Sequence, residues 1–326
     1  MNISDLLKFA QHKRASDIHI SSGQAPILRI DGQIERIGSI TLNHEILIGF
    51  LDELLNTQQK ELLFRQKYFD FGITIADLGR CRINIFLHQN GLALSIRLIP
   101  AVLPHLEDYA SFNTLKRMLE ESQGLILIVG ATGSGKSTTL NAMVDYLNRM
   151  HAKHIVMLED PIEYTHTSQK SLVHQRELGN HVNSFSEGIK AALREDPDVI
   201  VIGELRDSDS IRYALKASET GHLVLATLHA NGAAKALDRI IESFAVDEQT
   251  LIRLMLSETL LSVLHQNLML SPNGQGRMPV QEILLASPAI KNLIREHKIR
   301  QIEASMETSQ ELGMQTMAQA LKKLGF

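Results

Sequence analysis

The stretch Leu125-Ile126-Leu127-Ile128-Val129-Gly130-Ala131-Thr132-Gly133-Ser134-Gly135-Lys136-Ser137-Thr138 decides the fold, because an apolar run enters a glycine-rich segment and a helical pattern leaves it. Leu125 to Val129 is short and branched, as a buried strand is, while Leu140, Met143, Val144 and Leu147 repeat at helical spacing. Strand, glycine loop and helix in that order form a phosphate cradle. Glycines let backbone N–H groups turn inward around phosphate oxygens, and the positive end of the following helix adds to the attraction. In such a loop Lys136 reaches the β- and γ-phosphates and Ser137 reaches Mg²⁺.

Working outward, Ile155-Val156-Met157-Leu158, Val199-Ile200-Val201-Ile202 and Leu223-Val224-Leu225-Ala226 are further buried strands separated by helix-length segments, which predicts a parallel sheet covered on both faces. Ligands of such sheets collect at the carboxyl ends of the strands. Glu159, Asp160 and Glu163 follow one run, Gly203 and Glu204 a second, and His229 a third. Phosphoryl transfer to water needs a held metal and an oriented water. Glu204 is assigned to Mg²⁺ through its water shell and Glu163 to orienting or deprotonating the water; the two could be reversed, because sequence order does not fix which oxygen lies closer to the γ-phosphate. Asp160, directly before Pro161, has the pattern of a helix cap. His229 stands where it can bond a γ-phosphate or a carboxylate; His222 lies at the other end of the same strand. His151, His154 and His166 have no matching ligand set and read as surface residues.

The chain up to about Pro100 reads as a small α+β unit, with a first helix and then paired strands from Asp17 to Ile37 turning at Asp31-Gly32. A second hairpin, Arg80 to His88 and Leu92 to Pro100, flanks Asn90-Gly91. If Gln89 opposes Leu92, Asn84 faces Arg97 and Arg82 faces Ile99, so Arg82, Asn84 and Arg97 emerge on one face, opposite Ile83, Ile85, Leu87, Leu94, Ile96 and Leu98. Pro100 to Asn113 reads as a linker. From Asp247 onward the pattern reads as helical.

The 326 residues suffice for two domains. A net charge of −4 gives no general attraction to nucleic acid. The single cysteine, Cys81, excludes an internal disulfide and a cysteine zinc site, and reads as a packing residue. No run approaches the roughly 20 apolar residues of a membrane-spanning helix, and the first residues lack a signal-peptide core.

The phosphate loop, Ile155 to Tyr164, Asp196 to Asp207 and Glu219 to Ala230 resemble the Walker A, Asp box, Walker B and His box of the secretion ATPases, the superfamily of type II secretion and type IV pilus motors. The resemblance covers nearly the whole chain, from Ala15-Ser16-Asp17-Ile18-His19-Ile20 to Leu312-Gly313-Met314-Gln315-Thr316. Ala289-Ile290-Lys291-Asn292-Leu293-Ile294-Arg295-Glu296 is similar to the signature of the retraction motors, with Lys291 for the usual arginine; Ala131 and Ala230 are further departures. Ser287 and Pro288 make a good start for that helix, Ile290, Leu293 and Ile294 a buried stripe, and Lys291, Arg295 and Lys298 a basic ridge. Assembly-type members usually carry a longer N-terminal region and a four-cysteine zinc site, and this sequence shows neither.

The resemblance implies an α/β protein with a PAS-like α+β N-terminal domain (residues 1–100), a linker (101–113) and a RecA-like P-loop ATPase domain (114–326) with a helical C-terminal part. It implies a homo-hexamer that hydrolyses ATP with Mg²⁺ between the two domains, closure being the power stroke, with Arg82 and Arg97 reaching the nucleotide. The expected work is type IV pilus retraction through an inner-membrane platform protein, by a cytoplasmic protein held peripherally at the membrane through partners, with no direct nucleic-acid contact or membrane insertion. A type II secretion or DNA-transfer ATPase, or a nucleotide-binding regulatory protein without turnover, are the alternatives.

Overall fold

The structure is a computed structural model that describes residues 2–38, 41–76, 78–100, 102–271 and 276–325. Met1, Ala101 and Phe326, which bound the expected domains and linker, lie outside the described residues. By its contacts the chain divides into Met1–Val102 with Pro161–Tyr164, and Leu103–Asp160 with Thr165–Phe326. The short excursion Pro161–Tyr164 thus belongs with the N-terminal unit.

The N-terminal unit runs α1 (Ile3–His12), β1 (Asp17–Ser21), β2 (Ile27–Ile30), β3 (Gln33–Arg36), α2 (His44–Leu54), α3 (Thr57–Gln66), β4 (Tyr68–Ile75), β5 (Gly79–His88) and β6 (Gly91–Leu98). Each of its helices starts behind an asparagine, Asn2, Asn43 or Asn56, whose side chain accepts a backbone N–H of the first turn. Among the described residues its antiparallel sheet has the order β3-β2-β1-β6-β5-β4. The buried face presents Ile18, Ile20, Ile83, Ile85, Leu94 and Ile96 to Leu7 of α1 and Phe50 and Leu51 of α2. The Asp31-Gly32 turn forms as expected, with Ile30 opposite Gln33.

The second hairpin departs from its expected register. His88 pairs with Gly91 across a turn at Gln89-Asn90, so Arg82 faces Arg97 and Asn84 faces Ser95. Gly91 is taken up by the strand, where a Cβ would stand 3.4 Å from Ser22 Cβ, and not by the turn. The slip is of two places, so every side chain keeps its expected face.

The second unit runs α4 (Phe112–Leu119), β7 (Gly124–Val129), α5 (Lys136–Met150), β8 (His154–Glu159), β9 (Leu172–Glu177), α6 (Phe185–Ala192), β10 (Val199–Ile202), α7 (Ser208–Glu219), β11 (Leu223–Leu228), α8 (Ala233–Glu242), α9 (Gln249–Thr259), β12 (Leu260–Leu270), β13 (Arg277–Leu285), α10 (Pro288–Arg295), α11 (Ile302–Glu307) and α12 (Met317–Lys323). Its sheet has the order β13-β12-β7-β11-β10-β8-β9, parallel except for β13. Alternate residues of β7 face two cores: Leu125, Leu127 and Val129 meet helices α6 to α10, and Ile126 and Ile128 meet α4 and α5. The phosphate loop leaves the carboxyl end of this doubly covered strand.

Two expectations are corrected. The chain after Asp247 is not wholly helical, because β12 and β13 extend the sheet. Leu260-Leu261-Ser262-Val263-Leu264 is packed on both faces beside β7, so its apolar residues fall at both parities and show no strand alternation. Asp160 caps no helix: the next helix in the chain is α6, and Asp160 Oδ2 instead accepts from Arg206 Nη1 at 2.9 Å. The Ser287-Pro288 start of α10 forms, with Ile290 and Ile294 buried and Leu293 partly so. The expected basic ridge is shorter than read, because the chain leaves α10 before Lys298: Arg295 lies 3.0 Å from Glu258 of α9, and Lys298, beyond the helix, 2.6 Å from Glu296. No helix of the described residues is long and apolar enough to cross a membrane.

Burial pushes the Cys81 thiol up to about 11 against the pull of Arg80. Cys81 is therefore expected to ignore Ellman's reagent at about pH 8 in the folded protein and to react fully in denaturant. Leu264→Ala, in the buried stretch of β12, should lower the unfolding free energy by about 2–5 kcal/mol in urea titrations. Leu270→Ala, at the exposed end of the same strand, should change it by less than about 0.5 kcal/mol.

Candidate functional site

The loop between β7 and α5 turns on three glycines of positive φ, Gly130, Gly133 and Gly135, of which the first and last lie against β12. Gly130 has φ 155° and Gly135 φ 84°, values unfavourable to other residues. A Cβ at Gly130 would stand 2.5 Å from the main-chain oxygen of Gln266, and one at Gly135 would stand 2.9 Å from Gln266 Nε2. The loop is therefore pressed against β12, with Ala131, Thr132 and Gly133 exposed on its outer side. Lys136, the first residue of α5, is buried, and its ammonium donates to Gly130 O at 2.9 Å and Ala131 O at 2.8 Å. Ser134 Oγ is buried with no hydrogen-bond partner. Ser137 and Thr138 follow on the half-exposed side of the first helical turn, where Ser137 O accepts from Asn141 Nδ2 at 2.9 Å.

The neighbouring strand ends bring a chain of paired polar and charged side chains to this loop. His229, after β11, places Nδ1 3.5 Å from Lys136 Nζ and Nε2 3.3 Å from Glu204 Oε1. Glu204, after β10, accepts from Arg206 Nε at 2.9 Å, and Arg206 also donates to Asp160 beyond β8. Burial acts to lower the Arg206 pKa, but Glu204 and Asp160 outweigh it and hold the pKa above its ordinary value. Arg206 is missing from the sequence reading although a signal existed: it lies two places after Glu204 in the segment that leaves β10.

A cleft of about 340 Å³ opens beside the loop, lined by Gly130, Ala131, His229, Ala230, Asn231, Lys235 and Arg239. Lys235 and Arg239 lie one turn apart on α8 and were also not anticipated. Gln266 had no signal, because it falls where the pattern read as helical.

His222, at the far end of β11, is occupied with Ala217 O at 3.0 Å. His166, expected at the surface, is half-buried and bonds Asn141 Oδ1 through Nε2 at 2.8 Å. In the N-terminal unit Arg82 and Arg97 stand directly opposite on β5 and β6, which would repel were each not held by an acid. Arg82 Nη2 lies 2.6 Å from Asp70 Oδ2, and Arg97 Nε 2.9 Å from Asp17 Oδ1. Glu163 belongs to the Pro161–Tyr164 excursion of that unit.

The chain resembles known proteins along nearly its whole length. The profile of the type II/IV secretion system protein family matches residues 2–273. The chain is 43% identical to the type IV pilus retractation ATPase PilT of Pseudomonas aeruginosa, over 99% of this chain and 94% of that protein. It is 43% identical to a twitching motility protein of Neisseria gonorrhoeae, over 95% of this chain and 85% of that one. The crystal structure of the pilus retraction motor PilT with bound ADP superposes with a TM-score of 0.89 at 38% identity, covering 100% of this chain and 93% of that one. The ATPase DotB of Legionella pneumophila gives a TM-score of 0.81 at 25% identity, covering 98% and 90%.

Burial lowers the pKa of His166, against a smaller opposing effect of Asp145. The unfolded chain then binds more protons than the folded one, so this contribution to stability is complete above the ordinary histidine value and is lost as pH falls through it. Urea midpoints should therefore drop from about pH 7.5 to about pH 5.5, the range in which histidine titrates. The drop should be smaller in His166→Gln, the difference not exceeding about 1.4 kcal/mol per pH unit.

Proposed function

The chain belongs to the type II/IV secretion system protein family, and from that premise we propose that it is a Mg²⁺-dependent ATPase, working as a ring of six copies, that drives retraction of a type IV pilus. The observation that carries the chemistry is the meeting of Lys136, His229 and Glu204 at the carboxyl ends of β7, β11 and β10. The likeness over the full chain to a pilus retraction motor supports the choice of work.

In this reading water attacks the γ-phosphorus, the bond from that phosphorus to the bridging β–γ oxygen breaks, and ADP and inorganic phosphate leave. Residues 130–138, Gly130 through Thr138, wrap the phosphates with backbone N–H groups. Lys136 exchanges its two loop carbonyls for β- and γ-oxygens, which offer it full negative charge. The donor set suits Mg²⁺, which accepts one or two protein oxygens beside phosphates and water: the Ser137 hydroxyl would hold it directly and Glu204 through its water shell. When bound, the ion neutralises charge on the β- and γ-oxygens. Glu163 orients or deprotonates the attacking water; the exchange of roles between Glu163 and Glu204 is the variant of this reading that mutants decide. His229 links Lys136 to Glu204 and so senses whether a γ-phosphate is present. Arg82 and Arg97 add positive charge in the transition state, each leaving its carboxylate partner to do so.

The proposed setting is the cytoplasmic side of the inner membrane, where the ring is held by a pilus platform protein and turns nucleotide-driven movement into withdrawal of pilin subunits. It requires neither nucleic-acid contact nor insertion into the bilayer.

Lys136→Ala should weaken ATP binding by at least about tenfold, the loss of one charge-assisted hydrogen bond. Glu204→Gln should bind ATP yet lose about 10²-fold or more in steady-state phosphate release, and normal turnover there would overturn the metal assignment. Arg82→Ala should slow turnover, by up to about 10³-fold, in protein with an unchanged circular dichroism spectrum. Deleting the gene should leave surface pili that do not retract and cells that do not twitch; unchanged motility would point to other work.

A further inference from the structure

We propose that Gln266 is a positioning residue for nucleotide phosphate, holding the phosphate loop from beneath through a relay of buried side chains; the inference rests on the ATP-binding reading above. Gln266 lies on β12, on the face turned toward α5, and its side chain is fully enclosed. Its Nε2 donates to Ser134 O at 2.7 Å. In a trans peptide the C=O and the N–H of the next residue point in opposite directions. Tying Ser134 O down to β12 therefore turns the Gly135 N–H the other way, up into the phosphate cradle.

The amide is locked in this orientation from its other end. Gln266 Oε1 accepts from Thr139 Oγ1 at 2.7 Å and from Gln281 Nε2 at 2.8 Å. With its oxygen committed to two donors, the amide presents its nitrogen to the loop. Thr139 gives its proton to Gln266, so the Tyr109 hydroxyl, 3.2 Å away, donates to Thr139. Ser111 Oγ donates to Gln281 Oε1. The relay thus begins at Tyr109 and Ser111, in the segment before α4, and ends on the peptide between Ser134 and Gly135. The backbone of Gln266 makes the second contact, since its carbonyl oxygen occupies the space a Cβ at Gly130 would need. A buried amide tied at both its oxygen and its nitrogen holds one geometry, because a rotation would break these bonds and leave their donors and acceptors unpaired away from water.

A residue acting in this way affects phosphates and leaves the nucleoside alone. The test is titration of the full chain with fluorescent N-methylanthraniloyl ADP and ATP in the presence of magnesium, with unlabelled adenosine as competitor. Gln266→Met keeps the side-chain length but removes both the donor and the acceptor. It should bind ADP and ATP at least about tenfold more weakly, the factor set by one hydrogen bond to a charged group, with adenosine affinity unchanged. Gln281→Met, which removes only one of the donors that orient Gln266, should show a smaller loss of the same kind, and it carries the test if Gln266→Met does not fold. Wild-type ADP affinity in both variants, or an equal loss of ADP and adenosine, overturns the positioning role and leaves the ATPase reading intact. A wild-type chain that binds neither nucleotide overturns both.

Discussion

The strand β7 has no side that faces water, and the remaining features of the second unit follow from that burial. Its residues alternate between two cores, Leu125, Leu127 and Val129 toward one and Ile126 and Ile128 toward the other. A strand held in this way presents its carboxyl end at a fixed place. The chain must then turn sharply into α5 with backbone N–H groups still unpaired, which is the condition for binding a phosphate. Gly130 and Gly135 are the cost of that turn, since β12 lies too close for any side chain there.

Polar groups at the strand ends are arranged as a continuous chain of pairs. Asp160, Arg206, Glu204, His229 and Lys136 follow one another at 2.9 to 3.5 Å, each between groups of complementary character. In the proposed reading, a phosphate would compete for Lys136 at one end of this chain and so bear, through His229, on the acid proposed to hold the metal. The same logic governs the N-terminal unit, where Asp70 and Asp17 balance two arginines that would otherwise face each other unscreened. Both sets of ion pairs are partly exposed, so they set geometry more than stability.

Much of this was legible beforehand. Leu125 to Val129, Ile155 to Leu158, Val199 to Ile202 and Leu223 to Ala226 all read as buried strands and form them. Glu204 and His229 were placed at strand ends and do meet there. The second hairpin kept its faces but not its partners, because parity survives a slip of two residues whereas the identity of the opposite residue does not. Leu260 to Leu270 was missed because a strand buried on both faces loses the alternation that marks a strand, and leucine and methionine suit a helix equally well.

Sequence alone determined the phosphate loop, the parallel α/β class and the family likeness, since each rests on residues close together in the chain whose spacing already implies their geometry. Only the tertiary structure decided that Arg206 bridges Glu204 to Asp160 and that Gln266 underlies the loop, 132 positions from the Ser134 it bonds. Such partners depend on which strand lies beside which. That order is set by the packing of whole elements against two cores, and no local pattern around Gln266 or Ser134 records it.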